Sequence, residues 1–402
     1  MRAFTDSLAQ AKALTLQGRL MEATRLIQAK LGLQQPSAPN TETNSPGAES
    51  KTDFGSPETP PAPTWRAQKA QASDIDFREW SHVPVAPQPT TTSPASTPDA
   101  DPMADTVADP RSHPRATVPA SFTQHAILAG THSYSYRLFI PSEAGAATAR
   151  PIVVMLHGCK QNAEDFARGT AMNAIAEHEK FIVVYPEQIR QANSMGCWNW
   201  FEPQHQQRNQ GEPAMIAALV AKLVAEHGGD ASRIYIAGLS AGGAMAALVG
   251  QLYPEIFAAV GVHSGLAPSV AHDVASAFSA MRRGPGARPT RPITLPLIVF
   301  QGSADKTVAP ANAQAIVKTE LDALAARGTV LQKDREEPYP GAGRKATRER
   351  WTDANGTCRI ESWNVAAAPH AWAGGDAAGS FTDPLGPSAS QAMFSFFRLH
   401  AK

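Results

Sequence analysis

Cysteine is scarce in this chain, and neither sign of charge is in excess. The 402 residues include three cysteines, Cys159, Cys197 and Cys358. That number is too small for a disulfide-stapled scaffold, and no Cys-x-x-Cys or Cys/His cluster suggests a metal site. Basic and acidic residues number 36 each, which argues against nucleic acid or an anionic membrane surface as the main partner.

Long hydrophobic runs are also missing. No stretch of about 18 apolar residues occurs, so no transmembrane segment is predicted. The first ten residues are polar and mixed and have no apolar core, which is unlike a secretory signal peptide. We therefore expect a cytoplasmic protein without a membrane-spanning helix.

The N-terminal region, residues 1–35, repeats apolar residues at helical spacing on both sides of Gly18. This pattern predicts a hairpin of two helices of about three turns each. A single helical pair cannot bury its apolar face by itself, because such units need stacked neighbours. The hairpin is therefore expected to pack on the rest of the chain, on a second copy, or on an external surface.

Residues 36–119 contain 16 of the chain's 33 prolines, together with many Ser, Thr and Ala residues. Such a segment cannot bury enough apolar surface to offset the entropy of ordering it, so a disordered linker is predicted. A small aromatic island interrupts it and is a candidate docking patch for another surface. The island consists of Trp65, Ile75, Phe77 and Trp80.

Residues 120–402 are long enough for one large α/β domain. Several predicted strands are nearly continuous apolar runs, which is typical of a parallel sheet covered on both faces. Helical patterns alternate with them and favour a doubly wound, mostly parallel sheet. The predicted strands are Ser133–Ile140, Pro151–Leu156, Phe181–Tyr185, Arg233–Ala237, Ala258–His263, Leu295–Phe300 and Cys358–Val365, and the predicted helices are Ala163–His178, Pro213–Glu226, Ala241–Tyr253, Pro310–Arg327 and Ser388–Leu399.

The most informative motif is Gly238-x-Ser240-x-Gly242, which follows a β-branched run and precedes an alanine-rich helical segment. At a strand-to-helix turn such a box forms a nucleophile elbow, because the small residues permit a sharp bend that exposes a strained serine. The alternative is a small-residue turn with a capping serine. We interpret Ser240 as a nucleophile, and this elbow specifies the α/β-hydrolase version of the fold.

A serine nucleophile needs a base, and the base needs an orienting acid. In α/β-hydrolases these residues follow the serine in the order acid, then histidine, each on a loop after a strand. Asp305 comes just beyond the buried strand Leu295–Phe300 and a small-residue turn. It is the candidate acid; the alternative is a loop aspartate that caps the helix at Pro310.

His370 is the candidate base, because it lies late in the chain and directly after the strand Cys358–Val365. His400 lies in the terminal tail, which disfavours it. His263 also follows a strand, but it precedes Asp305, so its order in the chain is wrong for this role.

An oxyanion needs two backbone donors. The amide of Ala241, next to the nucleophile, is the first candidate. The second is the amide of Cys159, in the turn that follows the strand at Ile152–Leu156, where Gly158 permits a tight bend. His157 is interpreted as a structural hydrogen-bonding residue of this turn rather than as a second base.

In combination, several blocks of this domain resemble the poly(3-hydroxybutyrate) depolymerase family of esterases, which is related to feruloyl and acetylxylan esterases. The blocks span most of residues 120–402. They are Leu156–Asn162, Val184–Gln188, Cys197–Phe201, Arg233–Met245, Tyr253–Pro254 and His370–Trp372.

The resemblance implies an α/β-hydrolase fold with Ser240 as nucleophile, Asp305 as acid and His370 as base. It also implies that the amides of Cys159 and Ala241 form the oxyanion hole. No metal or organic cofactor is required by this chemistry. Many members of the family are extracellular, so that localisation stays open beside the cytoplasmic one.

The block Cys197–Phe201 lies between strands, where the rim of an active site is expected. Its rings Trp198, Trp200 and Phe201, together with Trp372, would form apolar walls suited to an acyl chain or an aromatic acid. The alternative is a loop anchored by core aromatics.

Members of the family can carry a disulfide at the positions of Cys159 and Cys197. Such a bond would tie the oxyanion turn to the aromatic loop, but it would not persist in a reducing compartment. Cys358 would then be a buried structural thiol.

The sequence therefore predicts a serine esterase that acts on hydroxyalkanoate esters, either poly(3-hydroxybutyrate) or its oligomers. A feruloyl or acetylxylan esterase is the alternative within the same chemistry. A different class also stays open: a protein that binds polymer granules through the hairpin of residues 1–35.

Overall fold

The structure is a computed structural model. It describes residues 118–130, 132–142, 149–286, 290–334, 337–339 and 343–402. The predicted hairpin of residues 1–35, the aromatic island and nearly all of the predicted linker lie outside the described residues.

The described chain alternates strands and helices, as predicted for an α/β domain. The strands are β1 Ser121–Ala129, β2 His132–Ile140, β3 Arg150–Leu156, β4 Ile182–Pro186, β5 Gly229–Leu239, β6 Ala259–His263, β7 Leu297–Gly302, β8 Leu331–Lys333, β9 Glu337–Tyr339, β10 Ala346–Asp353, β11 Cys358–Val365, β12 Trp372–Ala373 and β13 Thr382–Asp383. The helices are α1 Ala163–Thr170, α2 Met172–Glu179, α3 Gly211–His227, α4 Ala241–Leu252, α5 Val274–Arg283, α6 Ala311–Ala326 and α7 Ala389–Phe397, and Pro203–His205 forms one 3₁₀ turn.

One large sheet organises the domain, in the order β1-β2-β4-β3-β5-β6-β7-β11-β10-β8, with β9 paired to β10. The six central strands from β4 to β11 are parallel, and the strands outside them pair antiparallel. After β4 the chain crosses to the other side of β3 to form β5, so the winding direction reverses at β3 and β5. Ligand sites of open α/β sheets lie at such a switch point, beyond the carboxyl ends of the strands.

Both faces of the sheet are buried, which explains the continuous apolar runs of the central strands. In β3, Ile152 and Val154 pack into one core cluster with Leu219 of α3, whereas Val153 packs into a second cluster with Phe397 of α7. Alternate residues of a strand therefore face different cores. The α/β fold with a mostly parallel sheet is confirmed.

Local detail departs from the prediction in two places. The single helix predicted over Ala163–His178 is two helices, because Ala171 between them adopts a left-handed conformation (φ 52°). The strands β1, β8, β9, β10, β12 and β13 and the helix α5 were not predicted; β1 and β10 have mixed burial, with no continuous apolar run. Among the described helices none has the length and apolar character of a membrane span.

Candidate active site

The segment 238–242, here called the elbow, joins the buried strand β5 to the helix α4. Ser240 at its centre has φ 59° and ψ −120°, a strained conformation for a residue other than glycine. A Cβ on Gly242 would lie 2.1 Å from the carbonyl oxygen of Leu156, and one on Gly238 would lie 2.4 Å from Gly242. The two glycines are therefore required because β3, β5 and α4 approach one another so closely.

Two backbone amides near Ser240 have no acceptor within the described part of the chain. The amide of Ser240 itself donates to the carbonyl of His263 (2.9 Å), which leaves the next amide, that of Ala241, at the start of α4. In the segment 157–161, here called the oxyanion turn, Gly158 donates to the Gln161 side chain (2.9 Å) and Lys160 donates to Met195 (2.8 Å). The amide of Cys159, between Gly158 and Lys160, is the one without an acceptor in the described part of the chain.

The oxyanion turn lies directly against the elbow. A Cβ on Gly158 would be 3.6 Å from the Cβ of Ser240. The left-handed residue of this turn is Lys160 (φ 67°) rather than Gly158. A Cβ on Gly158 would make its tightest contact with Gln161 Oε1, at 3.1 Å. The oxyanion turn and the start of α4, whose amides of Cys159 and Ala241 have no acceptor among the described residues, are thus both next to Ser240.

Asp305 and His370 are hydrogen-bonded, with 2.7 Å between the carboxylate Oδ2 and Nδ1 of the imidazole. The other carboxylate oxygen accepts from the backbone amides of Thr307 and Val308, both at 2.9 Å. Burial alone would raise the pKa of Asp305, but the hydrogen bonds from His370 and these amides outweigh it, so the pKa lies below its usual value. The carboxylate is therefore ionised and fixed at neutral pH, and Nε2 is the ring nitrogen left for a nucleophile.

The segment 366–374, here called the base loop, is fastened to the turn that carries Asp305. Ser303 donates its amide to Val365 (2.9 Å), and its hydroxyl accepts from Ala367 (2.8 Å). A Cβ on Gly302 would lie 2.4 Å from the carbonyl oxygen of Ala368. Acid and base are thus positioned by one set of contacts between β7 and β11.

Ser240 follows β5, Asp305 follows β7 and His370 follows β11, so all three lie beyond the carboxyl edge of the parallel sheet. The acid and the base differ in burial. The Asp305 side chain is fully buried, whereas 12% of the His370 side chain is exposed. A buried acid beside a partly accessible base is the arrangement that lets the imidazole exchange protons with bound reactants while the acid holds its orientation.

Two further histidines lie beneath the site in structural roles. His157 is buried, and its Nε2 accepts from the amide of Gln188 (3.1 Å), while burial lowers its pKa. His263 is buried too; its Nε2 accepts from the amide of Ala373 (3.0 Å). Sequence reasoning set His263 aside on chain order alone and missed its contact with the base loop.

The aromatic residues that were expected to form the apolar walls of the site differ in burial. Trp198 and Trp372 are fully buried, and their indole nitrogens donate to His157 O (3.1 Å) and Ser390 Oγ (3.0 Å). The structure therefore corrects their assignment: they anchor the oxyanion turn and the base loop from inside the core. Trp200 is buried too, at 5% exposed. Phe201, whose ring lies beside that of Trp200, is half-buried and has more accessible surface.

Phe381 was not singled out from the sequence, although it is an exposed aromatic residue close to the site. It is 42% exposed and has φ 51°, which is unusual for a bulky side chain. Its carbonyl accepts from Trp372 (2.7 Å) in the base loop. The preceding residue, Ser380, accepts from Gln161 of the oxyanion turn (2.9 Å). No sequence motif marks this position, because its place depends in part on the contact with Gln161, which is 219 residues from Ser380 in the chain.

A disulfide joins Cys159 to Cys197, with the Cα atoms 4.2 Å apart. It links the oxyanion turn to the loop that carries Trp198. The backbone hydrogen bond from Lys160 to Met195 joins the same two segments. Cys358 is a buried free thiol whose pKa is raised by burial.

Comparison with known proteins identifies the same part of the chain. Residues 134–335 match the family model described as esterase PHB depolymerase. The poly(3-hydroxyalkanoate) depolymerase C of Paucimonas lemoignei is 31% identical over 254 residues, which cover 60% of this chain and 59% of that protein. The feruloyl esterase B of Thermothelomyces thermophilus is 31% identical over 153 residues, 38% of this chain and 52% of that protein.

The alignments thus span only about half to three fifths of the length of these curated relatives. Among solved structures, an acetyl xylan esterase from Aspergillus awamori aligns with a TM-score of 0.52 at 18% identity, over 69% of this chain and 99% of that one. At that identity the likeness concerns the fold.

Proposed function

The chain belongs to the PHB depolymerase family of esterases, and from that premise we propose that it is a serine esterase that hydrolyses hydroxyalkanoate esters, either poly(3-hydroxybutyrate) or its oligomers. One observation carries the proposal. The hydrogen-bonded pair Asp305–His370 and the strained Ser240 lie beyond the same edge of the sheet, close to two amides that have no acceptor among the described residues.

In the proposed reaction, Ser240 Oγ attacks the ester carbonyl carbon while His370 Nε2 takes the hydroxyl proton. The carbonyl oxygen becomes an oxyanion held by the amides of Ala241 and Cys159. The ester C–O bond then breaks, and His370 returns the proton to the leaving alcohol, which leaves an acyl-enzyme. Water attacks this intermediate with His370 again as base. The bond from the acyl carbon to Ser240 Oγ breaks, His370 returns the proton to Oγ, and the hydroxy acid leaves. Asp305 holds the imidazole tautomer throughout.

The acyl chain needs an apolar contact, and the buried tryptophans do not offer one. We propose that Phe381 and Phe201 supply it, because both keep accessible ring surface close to the oxyanion turn or the base loop. Strained backbone such as that of Phe381 is common in ligand-contacting segments. Phe381→Ala is expected to raise KM more for a longer acyl chain than for acetate esters.

The function is tested with a panel of purified esters: hydroxybutyrate oligomers, feruloyl esters and acetylated xylan. The proposal predicts the highest kcat/KM on the hydroxybutyrate oligomers. Ser240→Ala is expected to reduce kcat at least about 10⁴-fold on every ester, since it removes the nucleophile. A higher kcat/KM on feruloyl or acetyl esters would favour the alternative that the feruloyl esterase relative suggests.

We further propose that residues 1–119 deliver the esterase to a polymer surface. The sequence of residues 1–35 supports delivery to a surface, since a lone amphipathic hairpin cannot bury its apolar face by itself and must pack on another surface. Deleting residues 1–119 should spare hydrolysis of p-nitrophenyl butyrate and reduce attack on granules. Equal loss on both substrates would contradict the tether. Granule binding by the Ser240→Ala variant with its full biological effect would instead favour a binding protein.

A further inference from the structure

We propose that His263, which the reaction above does not use, is a positioning residue that couples the elbow to the base loop. The inference rests on the proposed function, since it presumes that Ser240 and His370 react together. His263 ends β6, which lies in the sheet between β5, the strand before Ser240, and β7, the strand before Asp305.

The backbone of His263 fixes the elbow. Its carbonyl accepts from the amide of Ser240 at 2.9 Å, one step beyond the register pair Leu239–His263. The next residue, Ser264, donates its amide to Phe300 of β7 (2.9 Å). The end of β6 therefore bridges the strand of the nucleophile and the strand of the acid.

The ring of His263 fixes the base loop. Its Nε2 accepts from the amide of Ala373, three residues after His370, at 3.0 Å. The ring stacks on Trp372 with 5.0 Å between centroids and on Phe300 with 5.6 Å. One residue thus holds the nucleophile segment with its main chain and the base segment with its side chain.

This contact requires a neutral imidazole in one tautomer. Because the amide of Ala373 donates to Nε2, that nitrogen carries no proton, and Nδ1 donates to Ser264 Oγ at 3.2 Å. A second proton would place two N–H groups against each other. Burial and, to a smaller extent, the charge of His370 lower the pKa of His263 to about 3, although the charge of Asp305 opposes them. His263 therefore stays neutral when His370 takes the hydroxyl proton of Ser240.

The contact between His263 and Ala373 therefore determines how well His370 is aligned with Ser240. Acylation needs the imidazole of His370 within hydrogen-bond reach of Ser240, and a displacement of about 1 Å can reduce a rate about 10²-fold. Without the acceptor on His263, the amide of Ala373 is unpaired and buried, so the base loop shifts to satisfy it. In the described part of the chain Phe381, the proposed acyl-chain contact, is joined to this loop only through the amide of Trp372, so we expect kcat to fall by much more than KM changes for a short ester.

The test compares His263→Leu, which removes the acceptor, with His263→Gln, whose side-chain oxygen replaces it. Hydrolysis of p-nitrophenyl butyrate is measured for both, with melting temperatures. We expect H263L to lose about 10- to 100-fold in kcat with KM within twofold of the wild type. H263Q should regain kcat to within about fivefold.

His400→Leu is the matched control, because His400 is also buried with a pKa lowered by burial, to about 4, but its ring packs on Phe396 instead of the site. It should keep the wild-type kcat. Should H263L fail to fold, Ala373→Pro removes the same hydrogen bond from the donor side and should show the same selective loss of kcat.

Wild-type kcat in a folded H263L or Ala373→Pro variant would overturn the inference, as would an equal loss in H263L and H263Q. These outcomes are distinct from failure of the proposed function, in which the wild type hydrolyses no ester or Ser240→Ala remains active.

Discussion

The elbow and the base loop meet at one site but are built differently. The elbow is a continuous strand-turn-helix unit, and its tight packing against Leu156 is made by main-chain atoms in the core. The base loop contains only the two-residue strand β12, after His370, and is held by side chains and turns from β6 and β7. The first should fail by unfolding, whereas the second should fail by misalignment.

The largest expected effect is that of Gly242→Ala. The new Cβ would lie 2.1 Å from Leu156 O and 2.5 Å from His157 O. Neither oxygen can move without displacing β3 from the sheet, so we expect a loss of more than about 3 kcal/mol in the free energy of unfolding. Soluble expression and the urea unfolding midpoint measure it. A folded, active Gly242→Ala protein would show that the elbow is not constrained as described.

Next in size is the effect of Asp305→Asn, which leaves the fold intact but removes the charge that orients His370. The amide would donate where the carboxylate accepts, which favours the wrong tautomer of the imidazole, and kcat should fall about 10⁴-fold. Steady-state kinetics on p-nitrophenyl butyrate measures it. Asp353→Asn is the matched control, because Asp353 also accepts from two nearby backbone amides, those of Asn355 and Thr357, but does not bond to His370.

Gly302→Ala gives the sharpest contrast with Gly242→Ala, since the two clashes are similar in distance. The Cβ at Gly302 would lie 2.4 Å from Ala368 O and 2.7 Å from Pro369 O. These atoms belong to the base loop, which can move outward. We expect a folded protein with a melting temperature within a few degrees of wild type and kcat lowered about 10- to 100-fold. Loss of folding equal to that of Gly242→Ala would remove the distinction between the two regions.

The same distinction governs what the sequence predicts. The elbow is encoded by contiguous residues, so α4 and the place of Ser240 follow from the pattern alone. The order of elements likewise pointed to Asp305 and His370. The tether from His263 to Ala373 and the exposed position of Phe381 depend on residues far apart in the chain. Neither leaves a local signal.

The buried tryptophans illustrate the same limit. An aromatic residue between strands is expected either at a rim or in a core, and residue type does not decide between them. Trp198 lies in the core because His157 O offers its indole nitrogen an acceptor there. That acceptor is 41 residues away in the chain.

The smallest effect is expected in the oxyanion turn, next to the elbow, because two separate contacts join this turn to the same neighbouring loop. Cys197→Ser removes the disulfide to Cys159 but leaves the hydrogen bond from Lys160 to Met195. Because the second contact remains, the amide of Cys159 should stay near the oxyanion, and kcat should fall only about two- to fivefold, well below the loss for a missing oxyanion donor.

Dithiothreitol reduces the same disulfide, so it should lower the wild-type kcat to the level of Cys197→Ser and leave the kcat of Cys197→Ser unchanged. Cys358→Ser is the control, because the thiol of Cys358 is buried and unpaired with another cysteine. Dithiothreitol should lower the kcat of Cys358→Ser as much as that of the wild type. A reduced wild-type enzyme with undiminished kcat would show that the hydrogen bond alone positions this turn; a loss of 10²-fold or more would show that the oxyanion turn behaves like the base loop rather than like the elbow.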